Sequence, residues 1–457
     1  MDADHLAKDR TDILFAAWLK ALVRNEPEKY AAILAVRHCK PTTVSTTVSA
    51  KLLGNGAFNV CYRVTLENGQ RVVVRFTAIG RVLARHEKVE DEVVVLRYLA
   101  EHSRIPVPKV LGHGTCQYGP YIVMEYIEGK TMSGYLRDAS RERISLRPGL
   151  HPAVLRKAYL GMADILLELS KLEFPLIGAL AQNADGSFVV QKQPVTFNMN
   201  RISQFSNIAL SVLKHSTFKS AGDYFEELAR HHMEQFQHQQ NDAIEDEADC
   251  RKKYIARCLF RQISQKLCDE QCKGPFRLFC DDLSPRNVIV DASKLAVAGV
   301  VDWEFTYSAP AEFTYAAPWW LLLETPEDWD EDLNEFLVRY TPKFKVFIQA
   351  LKECEDEKIR CGSLQESGRI SAVMENSVDS GLFWVCLASR NSTLFDEIYW
   401  TFIDTKFFGA FETIEQRISL LRPDEKVSME DVVQEKLRQL EEPALDIHYT
   451  VEELMEL

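Results

Sequence analysis

A chain of 457 residues, 46% hydrophobic and 26% charged, can bury a sizeable core, and its composition disfavours wholesale disorder. That length suits two domains or one large two-lobed one. The formal charge of −13 disfavours nucleic acid and anionic membrane surfaces as partners, and no apolar run approaches the ~18 residues that a membrane span requires.

The first residues mix Asp2, Asp4, Lys8, Asp9 and Arg10, without an apolar stretch of signal-peptide type. Residues 11–36 follow a helical period through Leu14, Trp18, Leu22, Tyr30 and Leu34. From Thr46 to Phe76 the period changes, and Asn68-Gly69 between "CYRVTL" and "RVVVRF" predicts a two-residue hairpin joining antiparallel strands. A helix follows over 87–102, with Val89, Val93, Leu96 and Ala100 on its apolar face. Two prolines in "IPVPKVLGHG" end it, and "PYIVMEYIEG" at 120–129 reads as a strand running into a linker closed by Gly129. Beyond Gly129 the chain becomes mostly helical. Helices fit 152–172, a segment opened by the capping pair Ser220 and Asp223, 245–270, 325–352 and much of 370–457. The eleven cysteines are scattered; Cys268 and Cys272 stand four apart with no second pair to complete a zinc site, which points to reduced thiols in a cytoplasmic protein.

The stretch "LFCDDLSPRNVIVD" at 278–291 carries the chemistry. Asp282 stands five residues before Asn287, and an expected hairpin over "VIVDASKLAVAGVV" separates both from Asp302 in "VDWEF". Phosphoryl transfer needs such a set: one Asp to orient the attacking hydroxyl and take its proton, an Asn and a second Asp to hold Mg²⁺. Taken alone, an Asp and an Asn on a loop are more commonly a cap and a turn. Upstream, Gly54 and Gly56 in "LLGNGAFNVCYRV" lie between two expected strands, where backbone amides can approach phosphates. Arg75 ends the strand "RVVVRF" and Glu92 lies on the next helix, an ordered cation–acid pair of the kind that holds α/β-phosphates. Singly, each reads equally well as a surface charge.

In this order, "GNGAFN", Arg75, Glu92, "IPVPKVLG", "VMEYIEG", "CDDLSPRN" and "VDWE" span about 250 residues. They resemble the aminoglycoside phosphotransferase and choline kinase-like group of protein-kinase-like folds, and within it the fungal phosphotransferase-family proteins. The resemblance implies an α+β, two-lobed fold with a small antiparallel-sheet N-lobe and a large, mainly helical C-lobe. It makes Asp282 the catalytic base, and Asn287 and Asp302 the Mg²⁺ ligands. Gly54, Gly56, Asn59 and Arg75 would border the phosphates of ATP, with Glu92 as the partner of Arg75. The backbone at Met124, Glu125 and Tyr126 would form the adenine-binding linker. Two residues depart from the pattern, since the group usually has His at Cys280 and often Gly at Asp281. Asn59 replaces the third glycine of a kinase loop.

The expected layout is an N-terminal helical extension (1–45), a nucleotide-binding N-lobe (46–127), and a helical C-lobe (128–457) with the catalytic loop at 278–304 and a helical insert at 195–270. The expected activity is ATP- and Mg²⁺-dependent transfer to a hydroxyl of a small molecule. A protein kinase is the alternative, encouraged by Arg286 and opposed by the short segment between Asp302 and "AAPWW"; a catalytically silent binding module is the third. Partners are the nucleotide and a small-molecule acceptor, with oligomeric state left open. The insert is the expected acceptor wall, and its acids Glu245, Asp246, Glu247 and Asp249, with His231, His232 and His238 nearby, would favour an amine-bearing acceptor.

Overall fold

The Asn68-Gly69 hairpin forms as its sequence dictates: Gly69 takes a left-handed φ of +81° and its N–H donates to Leu66 O at 2.9 Å. The computed structural model describes residues 1–39, 49–213, 216–266, 273–329 and 332–456. The expected strand start at Thr46 and the Cys268–Cys272 spacing lie outside them. Helices α1 (His5–Arg24) and α2 (Pro27–Cys39) precede strands β1 (Ser49–Asn55), β2 (Asn59–Thr65) and β3 (Arg71–Thr77). After helix α3 (Arg85–His102), strands β4 (Val110–Cys116) and β5 (Gly119–Glu125) complete an antiparallel sheet in the order β1-β2-β3-β5-β4. The sequence reading saw only a helix breaker before β4, because Pro106 and Pro108 mask its start.

Alternation along β3 sorts its side chains. Val72, Val74 and Phe76 join Trp18, Leu22 and Leu34 of α1 and α2 in one core, while Val73 packs toward α3 with Val89, Val93, Ile122 and Met124. Helix α3 buries Val89, Val93 and Leu96 as expected, but Ala100 is exposed. Its buried stripe instead takes in Arg85, Lys88 and Glu92, because the helix is wedged between the sheet and the large lobe. Buried charge at helical spacing looks like a solvated face when only sequence is read.

The chain crosses to the large lobe at Gly129, whose φ is +143°, and a Cβ there would lie 2.6 Å from both Ile289 Cγ2 and Val290 O. The lobe then runs through β6 (Lys130–Thr131), α4 (Met132–Leu136), α5 (Pro152–Leu169), β7 (Glu173–Phe174), β8 (Ala179–Gln182) and β9 (Phe188–Lys192). Next come α6 (Phe197–Phe205), α7 (Leu210–Leu213), α8 (Ala221–His238) and α9 (Glu247–Lys266), with Ser220 capping α8 at Asp223 N–H, 3.1 Å. Strands β10 (Phe276–Cys280), β11 (Val288–Val290), β12 (Val297–Val300) and β13 (Thr306–Ala309) frame the catalytic loop, followed by α10 (Ala311–Tyr315) and α11 (Leu333–Arg360). Shorter helices lead to Pro423–Glu441 and to Val451–Glu456, which returns to the small lobe and places Leu454 in its core. The result is an α+β, two-lobed, kinase-like fold. No helix among the described residues is long and apolar enough to cross a membrane.

His232 belongs to this core, its ring stacked on Phe395 at 4.3 Å between centroids. Burial first, and then the Arg257 charge, push its pKa down from 6.5 to about 3. The unfolded chain therefore takes up a proton that the folded one refuses. The stability this gives is fully present above pH 6.5 and is lost as pH falls toward 3, by up to about 1.4 kcal/mol per pH unit. Urea unfolding at pH 7 and pH 5 should show His232→Phe losing less stability than wild type over that interval; equal losses would refute the assignment.

Candidate active site

Arg75, on the same side of β3 as Val73, meets α3 and the large lobe together. Its Nη2 pairs with Glu92 Oε2 and its Nη1 lies 3.0 Å from Asp302 Oδ1. Arg75 and Glu92 are 5% and 1% exposed, so neither charge is solvated and each depends on the other. Arg75 Nε and Glu92 Oε1 are buried and have no hydrogen-bond partner among the described residues.

A second buried pair lies beside the first. Lys88 Nζ joins Glu304 Oε2, both side chains 1% exposed. Sequence reasoning passed over both residues, although Lys88 is one helical turn before Glu92 and Glu304 is two residues after Asp302. Asn59, expected at the phosphates, is drawn into this pair instead. Its Nδ2 donates to Glu304 Oε2 at 3.0 Å, and its Oδ1 accepts from Thr77 Oγ1 at 3.2 Å and Lys88 Nζ at 3.5 Å. Phe58 of the same loop packs edge-on against Phe197 and Phe305, at 5.7 and 5.4 Å. Gly54 borders open space, whereas the Gly56 N–H closes the turn on Asn59 O at 2.9 Å.

Strand β10 delivers the catalytic loop. Cys280 is buried and its thiol donates to Glu304 O at 3.7 Å, so it ties the loop to the segment that carries Asp302. Asn287 Nδ2 donates to Asp282 O at 3.0 Å and to Asp282 Oδ2 at 3.3 Å, while Val301 N–H donates to Asn287 O at 2.9 Å. These bonds gather Asp282, Asn287 and Asp302 at one place. Asp302 takes a left-handed φ of +63°, which Asp tolerates better than most residues.

The site holds more acids than cations. Burial, then the Asp302 and Glu304 charges, push the Asp282 carboxyl up to about 7. Burial and Glu304 push Asp302 up to about 6, against the pull of Arg75 and Lys88, although its side chain keeps 30% exposure at the cleft. Burial also pushes Glu304 upward, but Lys88 and Arg75 outweigh it and hold Glu304 below the usual range. Four carboxylates against two cations leave room for a divalent ion. The accessible Asp302 carboxylate and the Asn287 side-chain oxygen, whose Nδ2 alone is engaged, form the all-oxygen donor set that suits Mg²⁺.

The linker is less open than expected. The Glu125 N–H donates to Lys109 O at 2.9 Å and the Tyr126 N–H to Arg71 O at 3.2 Å, so both amides are engaged within the sheet. Met124 is buried against Val89 and Val93. After Asp302 the chain pairs directly as β13 against β10, from Cys280↔Thr306 to Arg277↔Ala309, and Arg286 Nη2 donates to Leu323 O at 2.7 Å.

The expected acceptor wall needs correction. A cavity beside Asp282 takes Phe197 from 195–270, and its other walls come from 319–327 and 387–391. The acids of α9 lie elsewhere: Glu247 pairs with Arg251, Asp249 with Lys253, and Asp246 caps Asp249 N–H. His231 pairs with Glu227, His238 with Glu234, and His232 is core. Amphipathic helices turned these groups onto caps, salt bridges and packing faces.

Residues 49–343 match the phosphotransferase enzyme family. The chain is 26% identical over 310 residues to clavilactone A biosynthesis cluster protein Y of Ampulloclitocybe clavipes, across 64% of this chain and 68% of that protein. It is 27% identical over 300 residues to altered inheritance of mitochondria protein 9, mitochondrial, of Clavispora lusitaniae, across 56% of this chain and 47% of that protein. Among solved structures, the GDP complex of an aminoglycoside 2'-phosphotransferase of type IIIa aligns over 89% of this chain and 96% of its own, with 14% identity and a TM-score of 0.42.

Removing one member of a buried pair strands the other charge, at a cost of about 3–5 kcal/mol. Lys88→Met should therefore destabilise the protein by that amount in urea melts, and adding Glu304→Gln should restore a good part of it. A single mutant as stable as wild type would show that the pair contributes nothing.

Proposed function

The chain belongs to the phosphotransferase enzyme family, and on that premise we propose that it is an ATP- and Mg²⁺-dependent kinase acting on a hydroxyl of a small molecule. The observation that carries the reading is the joint placement of Asp282 against Asn287 and of Asp302 against Arg75. Asp282, its carboxyl pushed up to about 7, is suited to orient an acceptor hydroxyl and take its proton near neutral pH. Asn287 and Asp302 would hold Mg²⁺, which when bound supplies charge neutralisation at the phosphate oxygens. Arg75, fixed by Glu92, presents a rigid guanidinium toward the same cleft. Gly54 keeps the loop above it open to a phosphate group. The Asn59 side chain acts through Lys88 and Glu304 and supports the loop from behind.

The immediate return of β13 to β10 supports a small-molecule acceptor over a protein one, because it leaves no activation segment of the regulated kind. All nine cysteines among the described residues are free thiols, which supports a reducing, cytoplasmic location.

Asp282→Asn should leave Mg²⁺·ATP affinity nearly intact and cut turnover by about 10²–10⁴. Asp302→Ala should instead weaken metal-dependent nucleotide binding, read by calorimetry with and without Mg²⁺. Wild-type ATP turnover in both variants would refute these roles for Asp282 and Asp302, whereas ATP binding without turnover in the wild-type chain would leave a binding module as the surviving interpretation.

A further inference from the structure

The charges of the cavity beside Asp282 are arranged unlike those around Arg75. Two carboxylates besides Asp282 line it, Asp281 and Glu327, and both are already partnered. Asp281 Oδ1 lies 3.2 Å from Arg390 Nη1 and accepts from the Tyr307 hydroxyl at 3.4 Å, while its Oδ2 accepts the Phe197 N–H at 3.1 Å. Glu327 is ion-paired with Arg201 and accepts from Asn391 Nδ2 at 3.1 Å. Each of these two acids therefore has a guanidinium partner. An acceptor carrying several ammonium groups would have to break these pairs and leave Arg390 or Arg201 without its counter-charge.

Besides Arg390, Thr325 and Asn391, the rest of the lining is apolar and aromatic. Phe197 and Trp319 border the cavity with Pro326 and Leu387. Trp319 and Arg390 also border a second cavity, walled by Leu166, Leu278, Phe313 and Trp320. Arg390 is held rigidly between them: its guanidinium lies 4.6 and 4.5 Å from the ring centres of Phe279 and Phe313, and its Nε donates to Cys386 O at 3.1 Å. Nη1 is engaged by Asp281, which leaves Nη2 without a hydrogen bond among the described residues. A pre-positioned donor beside apolar rings, with Asp281 and Glu327 already paired, selects for a neutral acceptor oxygen attached to an apolar body.

Resting on the kinase reading above, we propose that the acceptor is an uncharged alcohol with an aromatic or aliphatic body, seated between Phe197 and Trp319 and hydrogen-bonded by Arg390. In the transfer, the acceptor O–H proton passes to Asp282. A bond forms between the acceptor oxygen and the γ-phosphorus, the bond from that phosphorus to the β,γ-bridging oxygen breaks, and a nucleoside diphosphate leaves. The inference replaces the amine-bearing acceptor that the acidic run at 245–249 suggested.

The test measures binding of 2-phenylethanol, menthol and kanamycin by calorimetry to the full chain, with Mg²⁺·ATP turnover followed in the same samples. At least one neutral alcohol should bind about tenfold or more tightly than kanamycin, and Trp319→Ala should weaken that alcohol by about tenfold. Arg390→Gln should weaken the alcohol and strengthen kanamycin, because Asp281 is left unpaired; where this variant fails to fold, Trp319→Ala still decides. Tighter binding of kanamycin, no binding of either alcohol, or an alcohol indifferent to Trp319→Ala would overturn the proposal. Alcohol binding without phosphate transfer would support the cavity assignment and sink the kinase reading. Transfer to kanamycin in preference would do the reverse.

Discussion

A single buried guanidinium sets the geometry of the site. Arg75 rises from β3, pairs with Glu92 on α3 and reaches Asp302 on the large lobe at 3.0 Å. A charge that is 5% exposed cannot fall back on water, so its two carboxylates must stay where they are. Lys88 and Glu304 repeat the arrangement one helical turn away, again with a small-lobe cation and a large-lobe acid. The two lobes are thus joined by two buried charge pairs as well as by the linker at Gly129. Sliding one lobe over the other would separate Asp302 from Arg75 and Glu304 from Lys88.

The segment 302–305 lies under this constraint and shows it in its backbone. Asp302 and Phe305 both take left-handed φ values, +63° and +57°, and Phe305 has no side-chain polarity to ease the conformation. Its ring is held instead by packing, edge-on to Phe58 from the glycine loop and to Phe197 from α6, at 5.4 and 5.5 Å. Three aromatic rings from three distant segments therefore fix the floor beneath the glycine loop. Phe197 also borders the cavity beside Asp282, so the aromatic cluster links the glycine loop to the wall of that cavity.

The two sides of Asp282 differ in electrostatic character. Toward Arg75 burial, together with an excess of acids over cations, pushes the Asp282 carboxyl up to about 7. Toward Arg390 each acid is matched by a guanidinium. The return of Val451–Glu456 to the small lobe adds a further tie between the lobes, since buried Arg85 donates to Leu454 O and Met455 O at 3.1 and 3.0 Å.

The sequence alone determined the hairpin at Asn68-Gly69, the helix around 87–102, the cap at Ser220, and the ordered set Arg75, Glu92, Asp282, Asn287 and Asp302. These were legible because their signals are local: a turn dipeptide, a 3.6-residue period, a capping pair, a fixed spacing between strands. Tertiary structure alone decided that Lys88 and Glu304 form a second buried pair, that the Asn59 side chain bonds into that pair, and that the cavity beside Asp282 is walled by 319–327 and 387–391 instead of the acidic run at 245–249. Those outcomes depend on which face of a helix is covered by a segment more than a hundred residues away. A charged residue on a covered face and one on an exposed face have the same sequence pattern, and only packing gives one of them a partner and the other water.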